Sequence, residues 1–286
     1  MSQSKNSLLL ITVLILIWGA SWPIYKQSVP YIPPLYFAGI RALGGGLLLS
    51  ALLWKIRHEL HFKKNWLLYV VSAILNTALF IGLQTKGLNY LPGGMFSVLV
   101  YLQPVLVGVL SWLFLKEKMT PIKFFSLIIG FTGVAIVSIS NLEQSFNWVG
   151  ISLALATAFF WAAGVIVIKG FAGDANPYWI VSMQLLIGGS LLLGASFMTE
   201  TITNVEWNLP VIIGISFGVT VGLPLSYLIY YKLIREGEAS KVATSTFLVP
   251  IIAVLISVLF LGESLNITMS FGIILVAISV FSVNRT

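Results

Sequence analysis

The segment QPVLVGVLSWLFLKEKM, residues 103–119, has a counterpart later in the chain, VPIIAVLISVLFLGESL, residues 249–265. At a shift of 146 positions, six of the seventeen residues are identical, and one of them is the proline near the start of each segment, Pro104 and Pro250. An apolar run that occurs twice with the same internal proline indicates an internal repeat. The rest of the sequence shows how far this repeat extends.

The composition predicts an integral membrane protein. The chain has 286 residues, of which 58% are hydrophobic and only 9% are charged, whereas a soluble domain carries about 25% charged residues. The first apolar run begins at Leu8 and lacks a small-residue cleavage site, which favours a retained span over a signal peptide. The absence of cysteine excludes disulfides and thiolate metal sites.

Ten segments are long and apolar enough to cross a bilayer, since a helical span needs about 20 mostly apolar residues. They are approximately 8–27, 33–54, 66–87, 93–115, 121–140, 149–171, 178–198, 209–231, 239–261 and 267–283. The longest connection is IRHELHFKKN, residues 56–65. The sequence therefore predicts an all-α membrane protein with ten transmembrane helices and no soluble domain.

Basic residues orient the predicted spans. With a cytoplasmic N-terminus, only three of the 16 Lys and Arg residues lie on the outer side, and these are Lys26, Arg41 and Lys86. The other 13 are cytoplasmic, as the positive-inside rule requires. They are Lys5, Lys55, Arg57, Lys63, Lys64, Lys116, Lys118, Lys123, Lys169, Lys232, Arg235, Lys241 and Arg285. The net charge of +7 is thus explained without a nucleic-acid partner, and both termini are predicted to be cytoplasmic in a multi-pass protein of the cell membrane.

The repeat extends over both halves of the chain. Trp18 aligns with Trp161 at a shift of 143, and Pro34 with Pro177 at the same shift. The sequence therefore predicts two five-helix units, residues 1–143 and 144–286. Because five is odd, the second unit enters the membrane from the opposite side. Inverted repeats of this kind are typical of secondary transporters, whose substrate site lies near the midplane where the repeats meet.

The order of motifs resembles the drug/metabolite transporter superfamily and, within it, the EamA-like exporters. The motifs are WGASWP at 18–23, Pro34 with Arg41 seven residues later, LPGGMFSVLVYLQP at 91–104 followed by LFLKE, and EASKVATSTFLVP at 238–250 followed by LFLGE. The resemblance implies a ten-helix, two-repeat exporter of small metabolites, often amino acids, around a central cavity lined by spans 1, 3, 4, 6, 8 and 9. No cofactor or metal is expected.

Four prolines within predicted spans are candidate hinges, because proline removes a helical hydrogen bond and kinks the helix. These are Pro23, Pro104, Pro224 and Pro250. Broken helices at equivalent positions of two repeats point to a substrate site. The alternative is that the prolines are packing kinks without substrate contact.

Aromatic and polar residues inside the spans are the substrate-binding candidates. Trp18 and Trp161 lie about 15 Å into their spans, close to the midplane, where an indole N–H needs a partner. The full set is Trp18, Ser21, Trp22, Asn76, Gln84, Tyr101, Trp161, Tyr227, Thr246 and Phe247. Buried packing and hydrogen bonding between helices are the alternatives for each of them.

The sequence allows more than one role for each of three charged residues. Arg41 lies about 10 Å inside span 2 and is a possible anion anchor; alternatively it snorkels to the outer interface or binds backbone carbonyls. Glu117 and Glu263 follow spans 4 and 9, where the helix dipole disfavours a carboxylate. We expect them to form an ion pair at a gate or to cap a neighbouring helix, with Lys116, Lys118 or Lys123 near Glu117.

The middle of the predicted spans contains no Asp, Glu or His. Cation binding and proton relays normally use buried acids, so the sequence favours export of a neutral, zwitterionic or anionic metabolite by alternating access. The alternatives are an exporter of amphipathic drugs and a non-transporting assembly or sensor protein. An enzyme is not expected, because no metal cluster, acid pair or Ser–His arrangement is visible. The expected partners are a small-molecule substrate and the lipid bilayer, with the protein as a monomer or alternatively a dimer.

Overall fold

The computed structural model describes residues 5–87, 90, 96, 99–139, 147–261 and 267–285. Side-chain positions are described at all of these except 5, 22, 26, 137–139, 204, 253–254, 257–261, 269 and 284–285. Every regular element in this part of the chain is helical. The predicted all-α class is therefore confirmed for the described residues.

The main helices follow one another with short connections. In chain order they are α1 (Lys5–Ser28), α2 (Pro34–Leu52), α3 (Phe62–Gly87), α4 (Gln103–Leu115), α5 (Pro121–Ile139), α6 (Trp148–Phe171), α7 (Pro177–Thr199), α8 (Leu209–Glu236), α9 (Ala239–Ser245), α10 (Leu248–Leu261) and α11 (Ile267–Arg285). Within the described residues, six of them are long and apolar enough to cross a membrane, namely α1, α2, α3, α6, α7 and α8. The others are shorter apolar helices.

Two predicted spans continue beyond their predicted ends. The third helix begins at Phe62 and not at 66, and a 3₁₀ helix at Trp54–Leu60 occupies part of the connection predicted at 56–65. Helix α8 continues to Glu236, beyond its predicted end near residue 231. Hydropathy ends a span at the first charged residues, whereas a helix continues outside the bilayer as long as its backbone groups remain paired.

Side-chain caps fix where several helices begin. The side-chain oxygen of Asn147 accepts hydrogen bonds from the first turn of α6, that of Asn176 from Tyr178 N in α7, and that of Asn208 from Val211 N in α8. Helix α2 is capped from a distant part of the chain, because the Glu200 carboxylate accepts the backbone N–H groups of Leu35 and Tyr36 at 2.9 and 3.0 Å. These caps satisfy backbone donors that the helices leave unpaired.

Helices α3 and α8 each contain a π-helical segment, Ile74–Leu79 in α3 and Gly218–Leu225 in α8. Adding the repeat shift of 146 to 74–79 gives 220–225, which falls inside the second segment. Single π turns often mark functional positions in helices. The α3 segment contains Asn76, which is buried, and the α8 segment packs against α2.

Small residues allow close contact between helices. A Cβ atom on Gly189 in α7 would lie 2.4 Å from the backbone N of Leu43 in α2, and one on Gly46 would lie 2.7 Å from Leu186 N. In the same way, a Cβ on Gly133 in α5 would lie 2.8 Å from a backbone oxygen of α11. Helices α2 and α7, and α5 and α11, therefore pack backbone against backbone.

The remaining helices meet around the centre of the molecule. Helix α1 packs on α10 and α8, whereas α6 packs on α4 and α3. Side chains of α1, α3, α6 and α8 form one continuous buried core. The helices that carry the predicted tryptophans thus face each other.

Candidate functional site

Two tryptophans that align in the repeat are in direct contact. The rings of Trp18 in α1 and Trp161 in α6 pack edge to face, with centroids 5.6 Å apart. Phe80, the first residue after the π segment of α3, lies 4.6 Å from Trp161. Trp161 is 2% exposed, whereas Trp18 is half-buried. The structure therefore brings both predicted tryptophans into one site.

Three tyrosines of α8 complete this site. Tyr227 and Tyr230 lie 5.6 and 5.4 Å from Trp161, and Tyr230 lies 5.3 Å from Trp18. Tyr231 packs against both other tyrosines. We refer to Trp18, Phe80, Trp161, Tyr227, Tyr230 and Tyr231 as the aromatic cluster.

Sequence reasoning selected Tyr227 but missed Tyr230, Tyr231 and Phe80. A signal was present for the tyrosines, since positions 227, 230 and 231 have the i, i+3, i+4 spacing of one helix face. Phe80 gave no such signal, because phenylalanine is common throughout the apolar spans. Only the packing of α3 on α6 identifies it.

A hydrogen-bonded network of buried polar groups adjoins the aromatic cluster. Asn76 Nδ2 donates to Tyr231 Oη at 2.9 Å, and Tyr231 Oη donates to Gln184 Oε1 at 2.6 Å. Tyr227 Oη donates to the backbone oxygen of Asn76 at 3.3 Å. The network joins α3, α7 and α8, and all of these side chains are buried.

The same residues present polar atoms without a partner. Asn76 Oδ1, Gln184 Nε2 and Tyr230 Oη are buried and make no hydrogen bond with any described residue. Buried polar groups in proteins are nearly always hydrogen-bonded, to protein, water or ligand. These atoms are an acceptor, a donor and a hydroxyl, and they belong to residues in or beside the aromatic cluster.

Arg41 is buried on α2 against two aromatic side chains, and its charge interacts with Tyr227 of the aromatic cluster. Its guanidinium carbon lies 3.9 Å from the ring centroid of Tyr25 and 4.0 Å from that of Phe37, and Nε donates to the Phe37 carbonyl at 3.2 Å. The residue is only 4% exposed, so it does not snorkel to the interface. No acidic side chain among the described residues forms an ion pair with it.

Comparison with known proteins identifies the family. The sequence profile described as the EamA-like transporter family matches residues 5–139 and, a second time, residues 148–285. The chain belongs to this family. It is therefore a multi-pass membrane transporter and not an enzyme, as the sequence predicted.

Two curated relatives of this EamA-like transporter come from Bacillus subtilis (strain 168). The protein named "Uncharacterized transporter YvbV" is 43% identical over 276 residues, which cover 96% of this chain and 90% of the relative. The protein named "Uncharacterized transporter YoaV" is 27% identical over 270 residues, which cover 93% and 92%. A solved structure described as "Crystal structure of protein" shares the fold, with a TM-score of 0.85 at 14% identity over 98% of this chain and 96% of that one.

Other predicted binding residues of the EamA-like transporter lie outside the aromatic cluster. The Ser21 hydroxyl donates to its own helix at Ile17 O, and the Thr246 hydroxyl donates to Ala243 O. Phe247 is buried on the side of α5, where a Cβ on Gly130 would lie 2.6 Å from its ring. Of the remaining candidates, Tyr101 is buried, Gln84 is half-buried near the end of α3, and the side chain of Trp22 lies outside the described residues.

The central prolines differ from the prediction in their helical position. Pro104 and Pro250 lie in the first turns of α4 and α10, directly after breaks at Tyr101–Leu102 and Thr246–Phe247. These two prolines thus lie at breaks between helices and not inside continuous helices, and their role as hinges stays a prediction. Proline suits the first turn because its missing N–H would be unpaired there anyway. Pro23 lies inside α1 and Pro224 inside the π segment of α8, as predicted.

Glu117, just after α4, caps α9 and holds two lysines. Its carboxylate accepts Ala239 N at 2.8 Å and the Ser240 hydroxyl at 2.5 Å. Lys169 Nζ lies 3.1 Å and Lys123 Nζ 3.7 Å from it. Glu117 forms an ion pair and caps a helix, the two contacts predicted for it, but Lys169 was missed and the gate stays a prediction. Glu263 lies outside the described residues.

The Glu117 cluster, namely Glu117, Lys123, Lys169, Glu238 and Ser240, joins the two halves of the sequence. Lys123 Nζ also donates to Glu238 at 2.8 Å, and Lys169 Nζ donates to the Gly237 carbonyl. The Glu117 side chain is only 9% exposed, and that of Lys123 only 3%. The segment after α4 is thus fixed to α6 and to the start of α9.

The charge of Glu117 predicts a dependence of stability on pH. Burial by itself raises the pKa of Glu117, but the Ser240 hydrogen bond, the Lys169 charge and the Ala239 N–H together hold it below its ordinary value of 4.5. A carboxyl group with a lowered pKa in the folded state stabilises the fold at neutral pH, and this contribution is lost as the pH falls from about 4.5 through the folded-state pKa. The Lys123 contact similarly lowers the pKa of Glu238 against the effect of burial.

We expect Glu117→Gln to lower the free energy of unfolding at pH 7 by about 2 kcal/mol, because hydrogen bonds to a charged group are lost. The variant should also lose less stability than wild type between pH 5 and pH 3.5, since it no longer takes up that proton. Thermal unfolding in detergent over this range measures both effects. Glu236→Gln, at an exposed glutamate of α8, is the matched control and should follow wild type. Equal pH profiles for both variants would contradict the assignment.

Proposed function

We propose that this transporter exports small neutral, zwitterionic or anionic metabolites, such as amino acids, by alternating access, and that the substrate binds against the aromatic cluster. The observation that carries the proposal is the set of unpaired polar atoms on Asn76, Gln184 and Tyr230, buried beside a half-buried Trp18. An amide or carboxylate group of a metabolite has the donors and acceptors to pair with them, and its apolar part would stack on the rings.

Packing supports two inverted five-helix repeats, residues 1–143 and 144–286. If the repeats are related by a pseudo-twofold axis, each contact between the two halves has a counterpart in which the halves exchange places. Helix α1 packs on α10 as α6 does on α4, and α2 packs on α8 as α7 does on α3. Trp18 and Trp161 touch each other, which equivalent residues do only close to such an axis. The two separate matches of the family profile agree with this division.

The Glu117 cluster supports a closed inner gate. The positive-inside rule places both termini and the segment after α4 on the cytoplasmic side of the cell membrane, so this cluster closes the cytoplasmic end of the bundle. In an inverted repeat, the outward-open and inward-open states exchange the roles of the two halves. Opening toward the cytoplasm would then require the ion pairs of Glu117 with Lys123 and Lys169 to separate.

Substrate export is tested with purified protein in liposomes loaded in turn with radiolabelled amino acids, related metabolites and lipophilic cations. We expect flux or exchange of at least one neutral, zwitterionic or anionic compound, and loss of that flux in Trp161→Ala. Trp207→Ala, at an exposed tryptophan near the start of α8, is the matched control. Absence of flux across the panel would favour the assembly or sensor role, and flux of lipophilic cations alone would favour the drug exporter.

Arg41 provides a second test, which concerns the chemistry of the substrate. If its charge attracts the carboxylate of the substrate, Arg41→Met should weaken uptake of a carboxylate-bearing substrate by about tenfold relative to its uncharged amide, whereas Arg41→Lys should retain most of the difference. Competition by each compound against labelled substrate gives both affinities. If Arg41→Met weakens both compounds equally, the guanidinium is a packing group clamped between Tyr25 and Phe37.

A further inference from the structure

A surface groove lies between the end of α2, the 3₁₀ helix Trp54–Leu60 and the start of α7. It encloses about 570 Å³, and most of its lining is apolar: Ala51, Trp54, Leu60, Trp179 and Met183. The other lining groups are Arg57, the one charged residue among them, and Ser50. The groove is separate from the aromatic cluster and plays no part in the proposed transport path.

The walls of the groove are held by specific contacts. The indole N–H of Trp179 donates to Ile56 O at 3.1 Å, which fixes the 3₁₀ helix against α7. The hydroxyls of Ser50 and Ser182 lie 2.6 Å apart and join α2 to α7 beneath it. The groove is therefore formed before any molecule enters it, and little ordering is required on binding.

Arg57 is positioned at the edge of the apolar surface. Its guanidinium carbon lies 5.2 Å from the ring centroid of Trp54, and Nη1 donates to Trp54 O at 3.3 Å, which leaves the other guanidinium N–H groups directed to the surroundings. Lys55, Lys63 and Lys64 are close to Arg57 in the sequence but do not line the groove. The nearby acid, Glu59, accepts a hydrogen bond from Asn176 and lies 3.8 Å from His58. The groove thus combines apolar walls with one cationic side chain at its edge.

We propose that this groove binds an anionic phospholipid of the cytoplasmic leaflet, with the headgroup phosphate on Arg57 and the upper part of an acyl chain between Trp54 and Trp179. Positive charge at the groove selects an anionic headgroup. Apolar walls on the remaining sides require a ligand with a hydrocarbon part, which excludes a free phosphate ion as the main occupant. The exposed tryptophan at its mouth, Trp54, is the residue type that proteins place at the level of lipid headgroups.

The test is native mass spectrometry of the full-length protein in detergent, titrated with phosphatidylglycerol or phosphatidylcholine. We expect wild type to retain phosphatidylglycerol at least fivefold more strongly than phosphatidylcholine. Arg57→Gln should reduce phosphatidylglycerol binding by about fivefold, the effect of one cation near a headgroup, and Arg57→Lys should restore most of it. Lys64→Gln removes the same charge from the first turn of α3, outside the lining of the groove, and should change binding less than twofold.

A second variant tests whether the lipid binds in the groove or is only attracted by the positive charge nearby. Ala51→Phe fills the apolar part at an exposed position of α2, so it should reduce retention of both lipids without unfolding the protein. Inorganic phosphate at equal concentration should not displace phosphatidylglycerol. Equal effects of Lys64→Gln and Arg57→Gln, unchanged binding in Ala51→Phe, or displacement by inorganic phosphate would each overturn the proposal.

Discussion

Gly189→Leu is expected to prevent stable folding of this transporter. A Cβ atom at this position would lie 2.4 Å from Leu43 N and 2.8 Å from Leu43 Cα, both of which are backbone atoms of α2. The backbones of α2 and α7 would have to separate, and Leu186 would lose its contact with Gly46. Overpacking of this kind costs about 3 kcal/mol or more, because rigid backbone cannot yield as a flexible side chain does.

The matched control lies five residues further along the same helix. No heavy atom lies within 4 Å of a Cβ built on Gly194, which is exposed on the outer surface of α7. Gly194→Leu should therefore change stability by less than about 0.5 kcal/mol. Recovery of monodisperse protein after gel filtration, followed by thermal unfolding in detergent, measures both variants. Equal recovery would show that α2 and α7 do not approach as closely as the structure indicates.

Tyr230→Phe is expected to weaken substrate affinity by about tenfold without loss of stability. The Tyr230 hydroxyl is buried and has no hydrogen-bond partner among the described residues. Removal of an unpaired buried hydroxyl does not destabilise a fold. If the hydroxyl binds substrate, however, one hydrogen bond is lost, and a loss of about 1.4 kcal/mol corresponds to tenfold in affinity.

Tyr231→Phe is the informative comparison, because it changes the neighbouring residue in the same way. The Tyr231 hydroxyl joins Asn76 Nδ2 to Gln184 Oε1. Its removal therefore leaves two buried amide groups without their partner. We expect a loss of stability of about 2 kcal/mol together with a loss of transport. Thermal unfolding and competition against the transported compound separate the two cases. A loss of stability in Tyr230→Phe, or unchanged affinity, would remove this hydroxyl from the binding site.

The two kinds of tyrosine could not be told apart from the sequence. Both occur in SYLIYYKLIRE at the end of α8, on one helix face. Which hydroxyl is paired depends on Asn76 and Gln184, which belong to two other helices. Pairing across helices depends on their rotation and distance, and neither quantity is encoded in local periodicity.

The Glu117 cluster shows the same limit. The sequence predicted a cap or an ion pair for Glu117, because a carboxylate at a helix C-terminus needs compensation. The lysines expected as its partners were close to it in the sequence, and one of them, Lys123, does form an ion pair with Glu117. The nearest cation, Lys169, lies 52 positions away and was not predicted.

The sequence by itself determined the class of the protein. Apolar runs of about 20 residues can only be helices in lipid, the doubled proline motif predicts the repeat, and the order of motifs identifies the family. The tertiary structure decided which side chains meet. In it, Trp18 packs against Trp161, whereas Phe247 packs against α5. Pro104 and Pro250 lie in the first turns of helices that follow a break. The physical reason is that hydropathy and periodicity describe how each helix faces lipid or core, whereas a binding site depends on the relative position of at least four helices.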